Sequence, residues 1–143
     1  MSVETGGLLA LRVLTPDGAV LEGDVFEVTL PGSEGELGIL PAHAALLTRV
    51  APGPLAYRAP EGQGTIALGR GVAEVRDDRV TVLVERAVPE EELDAAALDT
   101  RRAKLASELD GGSLTEERAT ELEEEILLVD VELAIARKES PGH

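Results

Sequence analysis

The sequence predicts an α+β protein with an N-terminal all-β sandwich of about ten strands, followed by a C-terminal antiparallel two-helix hairpin. From Leu8 to about Val88, short runs of Val, Leu and Ile are separated by Gly, Pro and Asp at intervals of roughly ten residues, a pattern typical of β domains. After Pro89 the hydrophobic period changes from two toward 3.6, the sequence becomes rich in alanine and charge, and the next glycine is Gly111. We therefore expect two domains, 1–88 and 89–143.

Nine segments of the first domain have the composition of strands. The clearest turn signal is Pro31-Gly32-Ser33, which we expect to stop a strand because proline lacks the ladder donor and glycine permits turn dihedrals. A loop carrying Glu34 and Glu36 should follow. Later, the polar run Arg76 to Arg79 has the length of a hairpin connection. The predicted strands are Leu8–Leu14, Val20–Leu21, Val25–Leu30, Ile39–Leu40, Leu46–Val50, Leu55–Arg58, Thr65–Leu68, Val72–Val75 and Val80–Val84.

The second domain contains the start and stop signals of two helices. Asp94 is placed to cap a first helix that runs to Leu109, and Gly111-Gly112 supplies its stop. Ser113, with Glu116 three positions on, predicts a capping box for the second helix. The short connection makes the two helices antiparallel neighbours, and alanines on the first should allow a close approach. Those alanines are Ala95, Ala96, Ala97, Ala103 and Ala106, and the apolar seam expected on the second helix is Ala119, Leu122, Ile126, Val129, Leu133 and Ala136.

Composition limits the classes of function. The formal net charge is -15, so nucleic-acid phosphates and anionic lipid would be repelled over most of the surface, and proteins are the expected partners. Phe26 and Tyr57 are the only aromatic residues, so the core should be aliphatic and base stacking is disfavoured. The chain has no cysteine, no basic leader and no run of eighteen apolar residues. We expect no nucleic-acid partner and no direct insertion into a membrane.

One segment is similar to a known family. The run from Pro31 to His43, PGSEGELGILPAH, closely resembles the signature of the ATP synthase epsilon family, and the resemblance extends to Gly69–Val75 and Thr81–Val84. The resemblance implies a non-catalytic rotor subunit that lies between the gamma subunit and the c-ring, peripheral to the cytoplasmic face of a bacterial inner membrane. Glycines matching Gly35 and Gly38 would permit a tight backbone path.

The same resemblance places candidate contact residues. Glu36 matches a position that faces the polar loops of the c-ring in relatives, and His43 matches a position close to the same interface. An acidic loop could fix register against arginine through charge-assisted contacts. The alternative is that Glu36 is a solvated loop acid and that His43 caps a turn.

A second resemblance concerns ATP as a regulatory ligand. Leu98, Asp99, Arg102 and Ala103 match the motif with which some epsilon subunits bind ATP, and Arg137 matches a further arginine. Leu133 and Leu109 stand where relatives that bind ATP well carry additional arginines, so positive charge for a triphosphate is missing. The alternative is an i,i+3 ion pair between Asp99 and Arg102 on the helix surface.

Relatives also use the second helix to enter the catalytic head of alpha and beta subunits and to block rotation, usually with basic residues. Residues 113–139 here carry nine acids against three bases, which argues against that electrostatic contact. Insertion driven by the apolar seam against gamma stays open.

Two rival classes of function are compatible with parts of the sequence. Glu34, Glu36 and His43 could form an acid–base or metal cluster, although the chain has two histidines, no nucleophile elbow and no phosphate loop. A free-standing β-sandwich adaptor could bind a basic protein through an acidic helical hairpin. The combination of the glycine-acid motif with the two-helix tail favours the stalk subunit over both.

Overall fold

The computed structural model describes residues 7–138, in which ten strands precede a short 3-10 helix (Glu90–Glu92) and two α-helices. The chain divides into two units between Pro89 and Glu90. The strands are β1 Leu9–Thr15, β2 Gly18–Val25, β3 Glu27–Gly32, β4 Gly35–Ile39, β5 Leu46–Val50, β6 Gly53–Ala59, β7 Gly62–Leu68, β8 Gly71–Arg76, β9 Arg79–Val84 and β10 Ala87–Pro89, and the helices are α1 Ala95–Asp110 and α2 Glu116–Ala136.

The strands of the first unit form one sheet in the order β10-β7-β6-β3-β5-β8-β9-β1-β2, with β4 paired to β3 off this path. Most neighbours are antiparallel, and the pair β1 and β9 is parallel. The sheet curls so that β10 and β2, the two ends of the order, contact each other. The predicted sandwich is thus a strongly curved sheet that closes on its own core.

The core of this unit is aliphatic, as predicted. Alternate residues point inward, and Leu9, Leu11 and Val13 of β1 are all fully buried. Phe26 lies partly exposed, with the Arg58 guanidinium 4.9 Å from its ring centroid. The other strands contribute Val25, Val28, Leu30, Ile39, Val50, Leu55, Ile66, Leu68, Ala73, Val75, Val80, Val82 and Val84.

The strand predictions were wrong in several details, and the predicted strand Ile39–Leu40 is in fact Gly35–Ile39. The predicted strand Val25–Leu30 is broken at Phe26, whose N–H donates to the carbonyl of Arg58 at 2.7 Å. The strand is not stopped at Pro31. Proline has no N–H to donate, but its carbonyl accepts a hydrogen bond from Ala51 N–H at 2.8 Å, so the strand continues through it. The expected loop is therefore short, and Glu36 lies in β4. The three-residue strand β10 was not predicted.

The second unit is the predicted antiparallel hairpin, in which α1 and α2 pack against each other. Asp94 caps α1 by accepting from Ala97 N–H at 3.2 Å, as predicted. The cap of α2 is Thr115, which accepts from Arg118 N–H at 3.1 Å, and not Ser113, whose φ of 57° places it in the turn before the helix.

The hydrophobic cluster between the helices follows the predicted seam. Leu98 and Leu105 of α1 contact Leu122, Val129 and Leu133 of α2, and all five are buried. The alanine prediction was partly wrong, because three of the alanines are exposed and only two are half-buried. The exposed ones are Ala96, Ala97 and Ala103, and the half-buried ones are Ala95 and Ala106.

Candidate functional site

The β3–β4 hairpin presents Glu36 to solvent. Gly32 pairs with Gly35, so Ser33 and Glu34 alone form the tip. In β4, Leu37 and Ile39 face the core while Glu36 faces outward and is exposed. Within the described residues β4 pairs with β3 only, so it is an edge strand. Glu36 is thereby an accessible carboxylate on a regular strand rather than on a flexible loop.

The tight backbone path depends on Gly32 and Gly35. Gly35 has a φ of +126°, which side chains rarely adopt, so the expectation holds for this glycine. A Cβ on Gly32 would lie 2.8 Å from the carbonyl oxygen of Gly35. Gly38 has an ordinary φ and open space around its Cα, so the expectation is wrong there. The bare backbone at Gly38 leaves the outward face of β4 flat beside Glu36.

His43 lies in the turn that follows β4 and is half-buried. Its N–H donates to the carbonyl of Leu40 at 3.1 Å, and its Nδ1 lies 2.7 Å from the carbonyl oxygen of Ala44. Ala42 has a φ of +70°, and its N–H donates to Asp78 Oδ1 at 2.7 Å. The turn that carries His43 is thus tied to the β8–β9 hairpin by a bond that sequence spacing could not have indicated.

The structure does not support the alternative that Glu34, Glu36 and His43 form a metal site. Between residues 7 and 138, no three His, Asp or Glu side chains are grouped so that they could hold a metal ion.

An exposed face on β5, β8, β9 and β1 was missed at the sequence level. The strand registers place Leu14, Leu83 and Val72 side by side in one row, with Arg49 at its end. Leu47 lies in the neighbouring row and is 74% exposed, while Leu83 is 48% and Val72 is 40% exposed. We call Leu14, Leu47, Val72 and Leu83 the apolar patch. The alternation of these strands was the available signal, since large apolar residues recur on the positions that face away from the core.

The residues of the ATP motif lie along the contact between the helices. Arg137 donates to the Asp99 carboxylate, and Arg102 donates to both oxygens of Asp130, at 2.5 and 3.2 Å. The alternative of an i,i+3 pair between Asp99 and Arg102 is not what forms, because Arg102 pairs with Asp130 on α2 and Asp99 pairs with Arg137 at its end. The hydrogen bond and the charge of Asp130 raise the pKa of the Arg102 guanidinium above its ordinary value.

The apolar members of that motif are split between core and surface. Leu98 is buried between the helices, and Ala103 is exposed. Leu133 is 6% exposed, and Leu109 packs against the same cluster. Both leucines serve the packing of the hairpin, so they add no positive charge beside Arg102 and Arg137.

A further charged network joins the other end of the hairpin. Arg118 contacts Glu108 of α1 at 2.9 Å and Glu121 at 3.1 Å. The hydrogen bonds that Arg118 donates, first to Glu108 and then to Glu121, raise its pKa. Arg101 donates to Glu125 at 3.0 Å. Much of the basic charge of the hairpin is therefore used between its own helices.

No helix within residues 7–138 is both long enough and apolar enough to cross a membrane.

Known proteins match the first unit at the level of sequence. A family model described as the β-sandwich domain of the ATP synthase delta/epsilon chain matches residues 8–90. The ATP synthase epsilon chain of Parasynechococcus marenigrum (strain WH8102) is 54% identical over 76 residues, which cover 53% of this chain and 56% of that protein. The epsilon chain of Rippkaea orientalis is 45% identical over 76 residues, which cover the same shares of 53% and 56%. The chain spans little more than half the length of these curated relatives.

Solved structures match both units. A chain in the cryo-EM structure of the Euglena gracilis mitochondrial ATP synthase, OSCP/F1/c-ring in rotational state 1, aligns with a TM-score of 0.71 at 24% identity, covering 92% of this chain and 80% of that one. A chain of the Tetrahymena thermophila mitochondrial ATP synthase, central stalk and c-ring, aligns with a TM-score of 0.63 at 19% identity, covering 90% and 96%. At these identities the likeness shows the fold.

Proposed function

The chain belongs to the ATP synthase delta/epsilon chain family, and we propose that it is a non-catalytic rotor subunit in the central stalk of an F-type ATP synthase. Family membership confirms the resemblance predicted from the run Pro31 to His43. In this role the chain connects the gamma subunit to the c-ring and performs no chemistry itself. Its proposed place is peripheral, on the cytoplasmic face of a bacterial inner membrane.

The observation that carries the proposal is the β3–β4 hairpin. Its two-residue tip and its pairing to the rest of the sheet hold Glu36 outward on a regular edge strand. A carboxylate held in this way can pair with arginine on the loops of the c-ring without losing much conformational freedom. A small contact can therefore fix the position of this chain relative to the c-ring. Glu36, and His43 in the turn that follows β4, are accordingly the residues that we propose for the c-ring contact.

The apolar patch supports a separate contact with gamma. Leu47, Val72 and Leu83 point away from the core and are 40% to 74% exposed, which is costly in water unless another protein covers them. The patch extends over strands that are buried on their inner side, so it is a rigid surface. We assign it to gamma because a stalk subunit must bind gamma firmly to rotate with it.

Regulation by the helical hairpin is the least supported part of this function. Asp99, Arg102 and Arg137 lie along the contact between the helices, and each is already paired with an opposite charge. ATP would have to displace Asp130 from Arg102 and Asp99 from Arg137. We therefore propose weak ATP binding and a mainly structural role for the hairpin.

The proposal is tested by rebinding the chain to cognate synthase complexes from which this subunit has been removed. We compare the unaltered chain, Glu36→Gln and the matched control Glu34→Gln, which removes the same charge two residues away at the hairpin tip. We expect Glu36→Gln to rebind several-fold more weakly than Glu34→Gln, with the difference shrinking at high salt. A chain that does not rebind to the complex at all would refute the proposed function, and equal rebinding of the two variants would refute the role of Glu36.

A further inference from the structure

A second feature of the outer sheet face is an arginine-lined pocket that adjoins the apolar patch. Arg12, Arg76 and Arg79 surround a shallow cavity of about 470 Å³. Glu74 and Asp77 also line it, so three guanidinium groups face two carboxylates. In a chain whose net charge is -15, this is an unusual concentration of arginine.

The strand registers explain how the pocket forms. Arg79 lies directly opposite Arg76 in the β8–β9 hairpin and beside Ala10 of β1. In the next row, Thr81 lies between Arg12 and Glu74. The small side chains of Ala10 and Thr81 form the floor, and the longer side chains around them form the walls.

The arginines of this pocket differ in whether they form ion pairs with carboxylates. Arg12 contacts Glu22 at 3.0 Å, and Arg76 approaches Asp77 at 3.7 Å with both side chains strongly exposed. Within residues 7–138, no carboxylate lies within ion-pair distance of Arg79. Arg76 and Arg79 place two like charges on directly paired positions, which is unfavourable, and Asp77 offsets only the charge of Arg76.

The pocket and the apolar patch belong to one continuous face. Leu47 is opposite Glu74, which lines the pocket, and Leu83 is two residues beyond Thr81 on the same strand. A protein segment that covers Leu83 and Val72 would, by continuing along these strands, reach Thr81 after about 7 Å and Arg79 after about 13 Å. The same partner therefore meets both an apolar and a cationic surface.

We propose that this pocket receives an acidic side chain of the gamma subunit and so selects the cognate gamma. The inference rests on the function proposed above, since it takes the occupant of the apolar patch to be gamma. Burial of the patch supplies most of the affinity, and pairing of the carboxylate with Arg79 supplies orientation and discrimination against a gamma without an acid at that place. The guanidinium groups of Arg76 and Arg12 make the electrostatic potential around the pocket more positive.

The experiment measures binding of the full chain to the cognate gamma subunit at low and physiological ionic strength. The variants are Arg79→Gln, Arg79→Glu and the control Lys104→Glu, which introduces a negative charge on an exposed position of α1. We expect Arg79→Glu to weaken binding by about tenfold at low salt and by about threefold at physiological salt, with Arg79→Gln in between. Lys104→Glu should bind like the unaltered chain.

The outcomes separate this inference from the function on which it rests. If the unaltered chain binds gamma and both Arg79 variants bind equally well, the arginine-lined pocket has no role in gamma binding and the inference fails alone. If the unaltered chain does not bind gamma, both proposals fail. If gamma binding is unaffected while inorganic phosphate perturbs the amide resonances of Arg79 and Thr81, the pocket is a site for small anions and the inference is overturned. The Arg79→Gln variant covers the case in which charge reversal prevents folding.

Discussion

Asp78 Oδ1 accepts a hydrogen bond from the backbone N–H of Ala42 at 2.7 Å, which joins the β8–β9 hairpin to the turn that precedes His43. The backbone carbonyl of Asp78 also accepts from Ala10 N–H at 2.9 Å. Asp77 and Asp78 have φ values of 51° and 60°, as a two-residue turn of type I′ requires. One residue of a surface turn thus holds three separate segments in place.

Replacing Asp78 by glycine should loosen the turn that carries His43. Glycine keeps the positive φ but removes the acceptor for Ala42, so we expect a loss of about 1–2 kcal/mol in the free energy of unfolding of the β unit. The matched control is Asp77→Gly, because the Asp77 side chain is 87% exposed. Hydrogen exchange of the Ala42 amide measures the effect directly, and equal exchange rates in the two variants would contradict this role of Asp78.

Gly71 should be irreplaceable even by alanine. A Cβ there would lie 2.0 Å from the carbonyl oxygen of Leu83 and 2.7 Å from the Cα of Val84, and backbone atoms of a paired strand cannot move aside cheaply. We expect Gly71→Ala to cost at least about 3 kcal/mol or to abolish folding of the β unit. Tyr57, the single tyrosine, lies in β6 and gives a local probe of unfolding.

The control for this substitution is Gly23→Ala in β2, where a Cβ would have nothing within 4 Å. Its effect on the free energy of unfolding should stay within about 0.5 kcal/mol. A Gly71→Ala protein as stable as Gly23→Ala would show that the β8–β9 pair can separate locally.

Most of the fold could be predicted because it depends on local pattern. The strand Leu46–Val50 was predicted to the residue, and Asp94 was identified as a cap, since both follow from alternation and from capping chemistry. Pro31 misled the prediction because its effect on a strand depends on which neighbour uses its carbonyl. The strand at Ala87–Pro89 is too short to have a period.

Much less of the candidate site could be predicted, because its contacts are between segments far apart in sequence. On the sequence of its own helix, the only acidic partner available to Arg102 is Asp99 at i,i+3. Its actual partner, Asp130, is determined by the register in which the two helices pack. The apolar patch likewise requires the registers of four strands. Glu36 was identified from a family resemblance, and its exposure on an edge strand came from the structure.

Thr115 rather than Ser113 should control the start of α2. Thr115→Ala removes the acceptor for Arg118 N–H, and we expect a loss of about 1 kcal/mol in the stability of the helical unit. Ser113→Ala is the control, since Ser113 lies in the turn before the helix. Thermal melting followed by circular dichroism at the helical band distinguishes the two. A larger effect from Ser113→Ala would show that the helix begins earlier in solution.

ATP should bind the helical hairpin weakly, and removing Asp130 should strengthen binding. Asp130→Asn deprives Arg102 of its carboxylate partner and leaves the guanidinium available to a phosphate. We expect several-fold tighter binding of Mg-ATP than in the unaltered chain, measured by isothermal titration calorimetry. Because the pKa of Arg102 is raised, its guanidinium stays charged up to the ordinary pKa of arginine and loses its charge, and with it the ion pair, only at higher pH. The affinities measured at neutral pH therefore do not depend on the titration of Arg102.

The control for the nucleotide experiment is Glu123→Gln, which removes one negative charge from an exposed position of α2. Equal affinities for ATP in Asp130→Asn and Glu123→Gln would mean that net charge, and not competition for Arg102, limits binding. Micromolar binding by the unaltered chain would show that ATP displaces both ion pairs easily.

The hairpin should have little effect on ATP hydrolysis by the cognate catalytic head with gamma. Residues 113–139 carry nine acids against three bases, and the seam residues Leu122, Val129 and Leu133 are buried against α1, so neither a basic surface nor the apolar seam is offered to the head. We compare hydrolysis with no added chain, with the full chain, and with residues 1–89, which retain β10. We expect equal rates of hydrolysis with the full chain and with residues 1–89, once both have been shown to bind gamma. Slower hydrolysis with the full chain alone would mean that the hairpin opens, exposes its apolar seam and inhibits rotation.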